Sequence, residues 1–404
     1  MKTDKEKQIK TGIFFCFFAL MILPFFFWTT QPIQRIVVCA EKAEEKAEEE
    51  LNGVIENQIA NLDLQALQDY VNSLKNFTTQ NVAERLLAYV QGEEFDYSGF
   101  GKQILNVLLK KANELFPAFA CITAITLLSG LLSTLRSGTT GNAASDMIFL
   151  ISYAASLIPL ISVLTECFKI AQDSILSMQR QMQIVFPLML TLMAASGGTL
   201  SAAVCRPAVA FFSTSIVSII SKIVFPLTIT IIAFSMAGNL SKDLKISKFT
   251  AFFKSINKWI IGICISVFGL FFTLQGITSA TYDGVVRRAA KYAIGNGIPI
   301  VGGFLSGGFD LAVAGSVLIK NSLGSMGIFM LVYVVFEPFV MLFAINLLLR
   351  LTSAITQPFG DSRISDFLGE TADNLHYCSA GLLFTAFLYF LAIVLMICSS
   401  EVLF

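Results

Sequence analysis

Long apolar runs separated by short polar stretches dominate this chain. Runs that approach the ~20 residues a bilayer-crossing helix needs occupy roughly 115–135, 147–168, 183–205, 208–237, 259–280, 325–349 and 379–398. A glycine-rich apolar stretch at 293–319 gives a weaker signal of the same kind. Residues 41–103 have the opposite balance. They open with EKAEEKAEEE, six Glu against two Lys, and then turn amphipathic. Leu51, Ile55, Ile59 and Leu62 recur at helical spacing, as do Leu64, Leu67, Val71 and Leu74. A segment this short cannot bury a sizeable core by itself. It is predicted to be an amphipathic helical arm, either resting on the membrane domain or docking a partner.

The first forty residues carry a targeting pattern. Lys2, Lys5, Lys7 and Lys10 precede an apolar stretch from Ile13 to Trp28, interrupted by Pro24. This suits a secretory signal ending near Val38-Cys39-Ala40 or, because the apolar core is long and Arg35 follows it, an uncleaved anchor. A lipid-modified Cys39 is disfavoured, since Val38 is bulky where such sites take small residues. Either route delivers the next segment outside the cytoplasm. The organisation expected is therefore a signal or anchor at 1–40, an extracytoplasmic arm at 41–103, and a multi-pass domain at 104–404. Its fold class is all-α, a polytopic membrane bundle of about seven spans with at least one broken or re-entrant element. Sheet is not expected, because lipid-exposed sheet edges leave backbone groups unpaired.

Charge placement complicates the topology. Between the fourth and fifth runs lies NLSKDLKISKFTAFFKSINK, with lysines at 242, 245, 248, 254 and 258. Its apolar side is formed by Leu244, Phe249, Phe252, Phe253 and Ile256. Such a segment belongs on the anionic inner leaflet. With 41–103 outside, however, four crossings would return the chain to the outside at these lysines. Either the fourth run breaks at Lys222–Pro226, or 183–205, with Ser196-Gly197-Gly198, re-enters without crossing. A possible internal repeat bears on the same region. Pro187, SGG at 196–198 and Pro226 are matched by Pro299, SGG at 306–308 and Pro338, with 39 residues between the prolines in each set. Glycine-interrupted repeats occur in transporters, but Gly, Ser and Pro are also common in membrane helices.

Composition narrows the function. The chain is 55% hydrophobic and 14% charged, with mean hydropathy +0.72, whereas soluble chains are about 25% charged. Twenty-eight basic and 28 acidic residues cancel, which argues against a nucleic-acid face. The eight cysteines (16, 39, 121, 167, 205, 264, 378, 398) are scattered and form no CxxC, so they read as small buried hydrophobes. A single histidine, His376, makes histidine-based metal or triad chemistry a poor fit. There is no GxxxxGK[ST], HExxH or GxSxG, and GNGIPIVGG at 295–303 lacks the strand of a dinucleotide site. No enzyme activity, cofactor or metal is expected. The polar residues to watch are Lys222, Asp310 and Glu337 within apolar runs, with Glu166 near a span end. Charges at such depth line a water-filled path or pair between helices.

The segment LQGITSATYDGVVRRAAKYAIGNGIPIVGGFLSGGFDLAVAGSVLIKNSLG at 274–324, followed by FEPFVMLFAINLLLRLTSAITQPFGD at 336–361, resembles the stage III sporulation protein AE family. LDLQALQDYVNSL at 62–74, KIVFP at 222–226 and the lysine-rich loop ending in Lys258-Trp259 support the likeness. It extends over most of the chain from about residue 50. The resemblance implies a subunit of a sporulation channel or secretion-like complex in endospore-forming Firmicutes, seated in the mother-cell membrane around the engulfed forespore. Implied partners are the other stage III sporulation A-operon proteins and, indirectly, stage II sporulation protein Q, within a hetero-oligomeric complex supported by membrane lipid. No catalytic residue is assigned in that family, so none is carried over. The alternative is a self-sufficient secondary transporter, motivated by the possible repeat and the intramembrane charges.

Overall fold

The computed structural model describes residues 41–74, 81–92, 100–136, 142–240, 246–270, 302–358 and 362–398. The signal or anchor at 1–40, Cys39, Pro299 and the 274–301 part of the resemblance lie outside the described residues. The chain divides into two compact units, Met1–Glu50 and Leu51–Phe404. The described part of the first is the acidic leading portion of helix α1 (Glu41–Ala60). The packing below belongs to the second unit, and no strand occurs among the described residues.

Two short helices, α2 (Gln65–Ser73) and α3 (Val82–Val90), complete the arm. Each buries one stripe: Leu67, Tyr70 and Val71 on α2, and Val82 and Leu86 on α3. Asn81 caps α3 by accepting from the Ala83 amide, and Glu84 in the first turn suits the helix dipole. The Val82 amide donates to Gln68 Oε1 at 2.7 Å, tying α3 to α2.

The apolar runs become α4 (Phe100–Arg136), α5 (Asn142–Ala195), α6 (Thr199–Ile219), α7 (Phe225–Leu240), α8 (Ser247–Leu270), α9 (Gly302–Thr356) and α10 (Ser362–Cys398). Among the described residues six helical stretches are long and apolar enough to cross a membrane, where about seven spans are expected for the chain. The difference has a physical reason. The runs 147–168 and 183–205 are joined by KIAQDSILSMQRQM, which contains no helix breaker, so α5 continues through it for 54 residues. Likewise the described part of 293–319 and all of 325–349 share α9, 55 residues long.

The two alternatives that the sequence leaves open here take different forms. Ser196-Gly197-Gly198 is a chain reversal. Gly197 has φ +91°, its amide donates to Ala194 O, and the Gly198 amide donates to Met193 O. This is the glycine-terminated helix end that satisfies orphan carbonyls. Lys222–Pro226 does not reverse the chain. Residues Ile220–Val224 form a π-helical turn, with the Phe225 amide reaching back to Ile220 O. Pro226 cannot donate to Lys222, and the widened turn absorbs that loss. The repeat loses its structural counterpart, because Ser306-Gly307-Gly308 lies inside helix α9 and not in a turn.

α10 forms the centre of the bundle, buried along nearly its whole length. It packs antiparallel to α9, where Asn346 Nδ2 meets Ala372 O at one end and Gly327 meets Ile393 at the other. α5 runs alongside, with Phe149 and Tyr153 near Arg363 and Phe367, and Phe186 edge-on to Tyr389. Tyr153 also donates to Met236 O on α7 at 2.8 Å. The arm docks elsewhere: Tyr70 lies on Ser177, and Gln58 Nε2 donates to Ala312 O at 2.9 Å. Tyr153 and Ser177 are about 36 Å apart along α5. Since α5 is one helix, α4, α5 and α6–α7 run alternately, and the lysine-bearing start of α8 falls at the end of the bundle opposite the arm.

Candidate functional site

Polar groups inside a bundle of this kind are costly unless partnered, so their partners define the sites worth considering. Among the described residues, three groupings join a lysine or arginine to a second helix by a hydrogen bond or ion pair.

The first joins α4 to α9. Lys111 Nζ lies 3.3 Å from Glu114 Oε2 and 3.4 Å from Glu337 Oε1. Lys111 is mostly covered, while Glu337 is more than half exposed. Glu337 is thus one member of an interhelical ion pair. The other three residues singled out from sequence do not join it. Glu166 is exposed on α5, Lys222 is exposed on the π-helical turn, and Asp310 is half-buried near the start of α9. Asp310 and Glu337 are 27 residues apart on one helix, about 40 Å.

The second grouping was not singled out from the sequence. Arg350 on α9 donates from Nη2 to Asp373 Oδ1 at 2.7 Å and from Nε to Asn346 Oδ1 at 3.0 Å. Its Nη2 also lies 3.2 Å from His376 Nε2. A guanidinium only donates, so this contact has Nε2 accepting, the tautomer protonated on Nδ1. Asn346 is held in turn by its own donation to Ala372 O at 2.6 Å. Arg350 and Asp373 are 45% and 36% exposed, so the cluster opens to the outside of the bundle. The signal in sequence was weak: Arg350 closes a long apolar run, and Asp373 and His376 share a helix face only once 362–398 is read as a single helix.

The third is Lys320, fully buried on α9. Its Nζ donates to Met396 O at 2.9 Å and Ile397 O at 2.7 Å. A lysine placed on the last carbonyls of α10 supplies a donor where a helix runs out of its own amides. Below it Gly324 allows close approach, since a Cβ there would lie 2.6 Å from Ile397 Cδ1. Gln181 Nε2 and Ser174 Oγ donate to Gly327 O and Val334 O at 2.8 and 2.9 Å, fastening α5 to α9.

Outside the spanning segments, Tyr70 is buried against Ser177, with oxygens 3.1 Å apart. Burial pushes its phenol up to about 12, against smaller opposing effects from Ser177 and Arg180.

Apolar helices long enough to cross a bilayer, joined by tight turns around a buried α10, make this a polytopic helical membrane protein. A family model described as stage III sporulation protein AE matches residues 81–400. The chain belongs to that family and is a sporulation-related membrane protein. The curated stage III sporulation protein AE of Bacillus subtilis (strain 168) is 23% identical over 336 residues, which cover 83% of this chain and 80% of that protein. No solved structure matches the chain.

Proposed function

We propose that the protein is a non-catalytic membrane subunit of a sporulation channel or secretion-like complex that links mother cell and forespore and sustains the forespore after engulfment. The family match over residues 81–400 carries this reading. It would sit in the mother-cell membrane around the forespore, with the arm on the extracytoplasmic side. Other stage III sporulation A-operon proteins, and indirectly stage II sporulation protein Q, would be its partners in a hetero-oligomer. The positive-inside rule supports this orientation, since Lys248, in the first turn of α8, lies at the end of the bundle opposite the docked arm.

Deletion of the gene in its own host tests the proposal. Normal vegetative growth, followed by forespores that complete engulfment and then shrink, is the expected outcome. Normal sporulation with a growth defect on some nutrient or ion would overturn it. The half-exposed Arg350–Asp373–His376 cluster keeps the secondary-transporter reading in play. That reading requires flux by the purified protein in liposomes, lost in Asp310→Asn or Glu337→Gln. Absence of flux across a broad substrate panel would sink it.

A further inference from the structure

Two helices here are longer than one bilayer can hold. α5 has 54 residues and α9 has 55. At 1.5 Å per residue each is about 80 Å long, against ~30 Å of hydrocarbon. Wherever the bilayer sits on this bundle, about 50 Å of each helix lies beyond the hydrocarbon. Which part is the question, and hydropathy along the chain does not answer it, because both halves of both helices are apolar.

Outward-facing side chains do answer it. On α5, Met147, Leu150, Ile151, Ile158 and Ile161 are exposed near the start of the helix, Ile158 to 74%. From Ser177 to Ala195 no large apolar side chain of α5 is exposed; the outward positions hold Arg180, Gln183, Pro187 and Thr191. The apolar residues of that stretch, such as Val185, Phe186 and Met189, are buried in the bundle. α9 shows the mirror arrangement, as its antiparallel course requires. Phe343, Leu347, Leu351 and Ile355 are exposed near its end, whereas Ser325 and Glu337 take the outward positions earlier. Exceptions occur in both halves. Leu318, Phe211, Leu176 and Leu270 are exposed at or near the polar level, where single apolar residues are ordinary. Arg350 and Asp373, partly exposed in the apolar half, are held there as a hydrogen-bonded ion pair.

The arm supplies an independent observation. It packs on Ser177 of α5 and on Ala312 and Ser316 of α9, within the polar half. Its opposite side exposes Glu56, Asn57, Asp69 and Asn72. Hydrocarbon at this level would bury the Glu56 and Asp69 carboxylates, at several kcal/mol each. Between the two halves lie Glu166, Lys169 and Asp173 on α5, Lys222 on the π-helical turn, and the Lys111–Glu337 pair. Charges of both signs at one level are what the headgroup zone accepts.

We propose that lipid acyl chains surround only the half of the bundle containing Met147–Ile161 and Phe343–Ile355. The other half, built from α5 beyond Ser177, α9 before Glu337, the end of α10 and the docked arm, stands in water as a head. The proposal does not depend on the sporulation role; it rests on the membrane-spanning character alone. In it, the apolar runs 183–205 and 325–335 are the core of the head and not spans.

Spin-label accessibility in the full-length protein tests it, in vesicles of phosphatidylcholine and phosphatidylglycerol and in a background without the eight native cysteines. Labels at Thr191→Cys and Ser325→Cys are expected to relax several-fold more with a water-soluble nickel chelate than with oxygen. Labels at Ile158→Cys and Leu347→Cys are expected to show the reverse preference. All four positions face outward, and Gln183→Cys replaces Thr191→Cys if that variant fails to assemble. Oxygen-dominated relaxation at positions 191 and 325 would put hydrocarbon around the head and overturn the proposal.

Discussion

The ammonium of Lys320 lies 2.7 Å from the carbonyl oxygen of Ile397, one turn from the close approach of Gly324 to the same residue. One buried cation on α9 thereby caps the carboxyl end of the central helix α10, with Met396 O as its second acceptor. Lys320→Met should leave both carbonyls short of a donor in a closed core and cost about 1–3 kcal/mol. Lys320→Glu should be worse, because a carboxylate would face two carbonyls. Thermal unfolding in detergent checks the order. A Lys320→Met protein as stable as its parent would remove the capping role.

Gly324 tests the packing at that junction. An alanine Cβ there would come within 2.6 Å of Ile397 Cδ1 and 2.7 Å of Ile397 Cγ1. Gly324→Ala should therefore destabilise by about 1–3 kcal/mol through overpacking. Combining it with Ile397→Ala removes the obstructing atoms, and the double variant should recover part of the loss. Strictly additive losses in the two variants would mean that the helices part without steric conflict.

The Arg350–Asp373 pair bridges α9 and α10 where both are partly exposed. An exposed pair in water contributes little, whereas interhelical polar contacts in membranes average somewhat more. A double-mutant cycle with Arg350→Ala and Asp373→Ala should give a coupling of roughly 1 kcal/mol in bilayers. His376→Phe should weaken Arg350 positioning without abolishing the pair. A coupling of zero in lipid would show that the two charges are held apart by solvent.

Docking of the arm depends on Tyr70 remaining neutral. Its phenol titrates near 12 in the folded protein and near 10 when exposed, because burial disfavours the phenolate. The contribution is thus fully present below about pH 10 and is lost as pH rises from there towards 12, at most about 2–3 kcal/mol. Proteolysis between the arm and α4 should accelerate across that window. Tyr70→Phe removes the hydrogen bond to Ser177 but cannot ionise, so its cleavage rate should stay flat there. Equal acceleration in both proteins would assign the effect to other groups.

Much of the architecture was legible in the chain. The described stretches rich in apolar residues are helical, and Lys248 falls at the opposite end from the arm. The expected irregularity near Pro226 is present as a π-helical turn, and Gly197 reverses the chain. The count of crossings conflicts with the lysines only if the polar interval between the runs 147–168 and 183–205 turns the chain. In α5 that interval is helix, and the outward groups Glu166, Lys169 and Asp173 need no turn to reach water. The polar sites were less legible. Glu337 stood out as a charge in an apolar run, but its partner Lys111 comes from a helix more than two hundred residues earlier. Lys320 and Arg350 carry little signal in sequence, since each closes an apolar stretch and reads as a charge at a span end.

By itself, the sequence determined the helical class and the amphipathic arm. These depend on local propensity, periodicity and backbone freedom, which neighbouring residues encode. Only the tertiary structure decided which apolar runs face outward and which face α10. It also decided which carbonyls receive Lys320 and which carboxylate receives Arg350. Hydropathy records how strongly a side chain avoids water, and lipid and protein interior satisfy that equally well. The choice between them is made by what packs alongside.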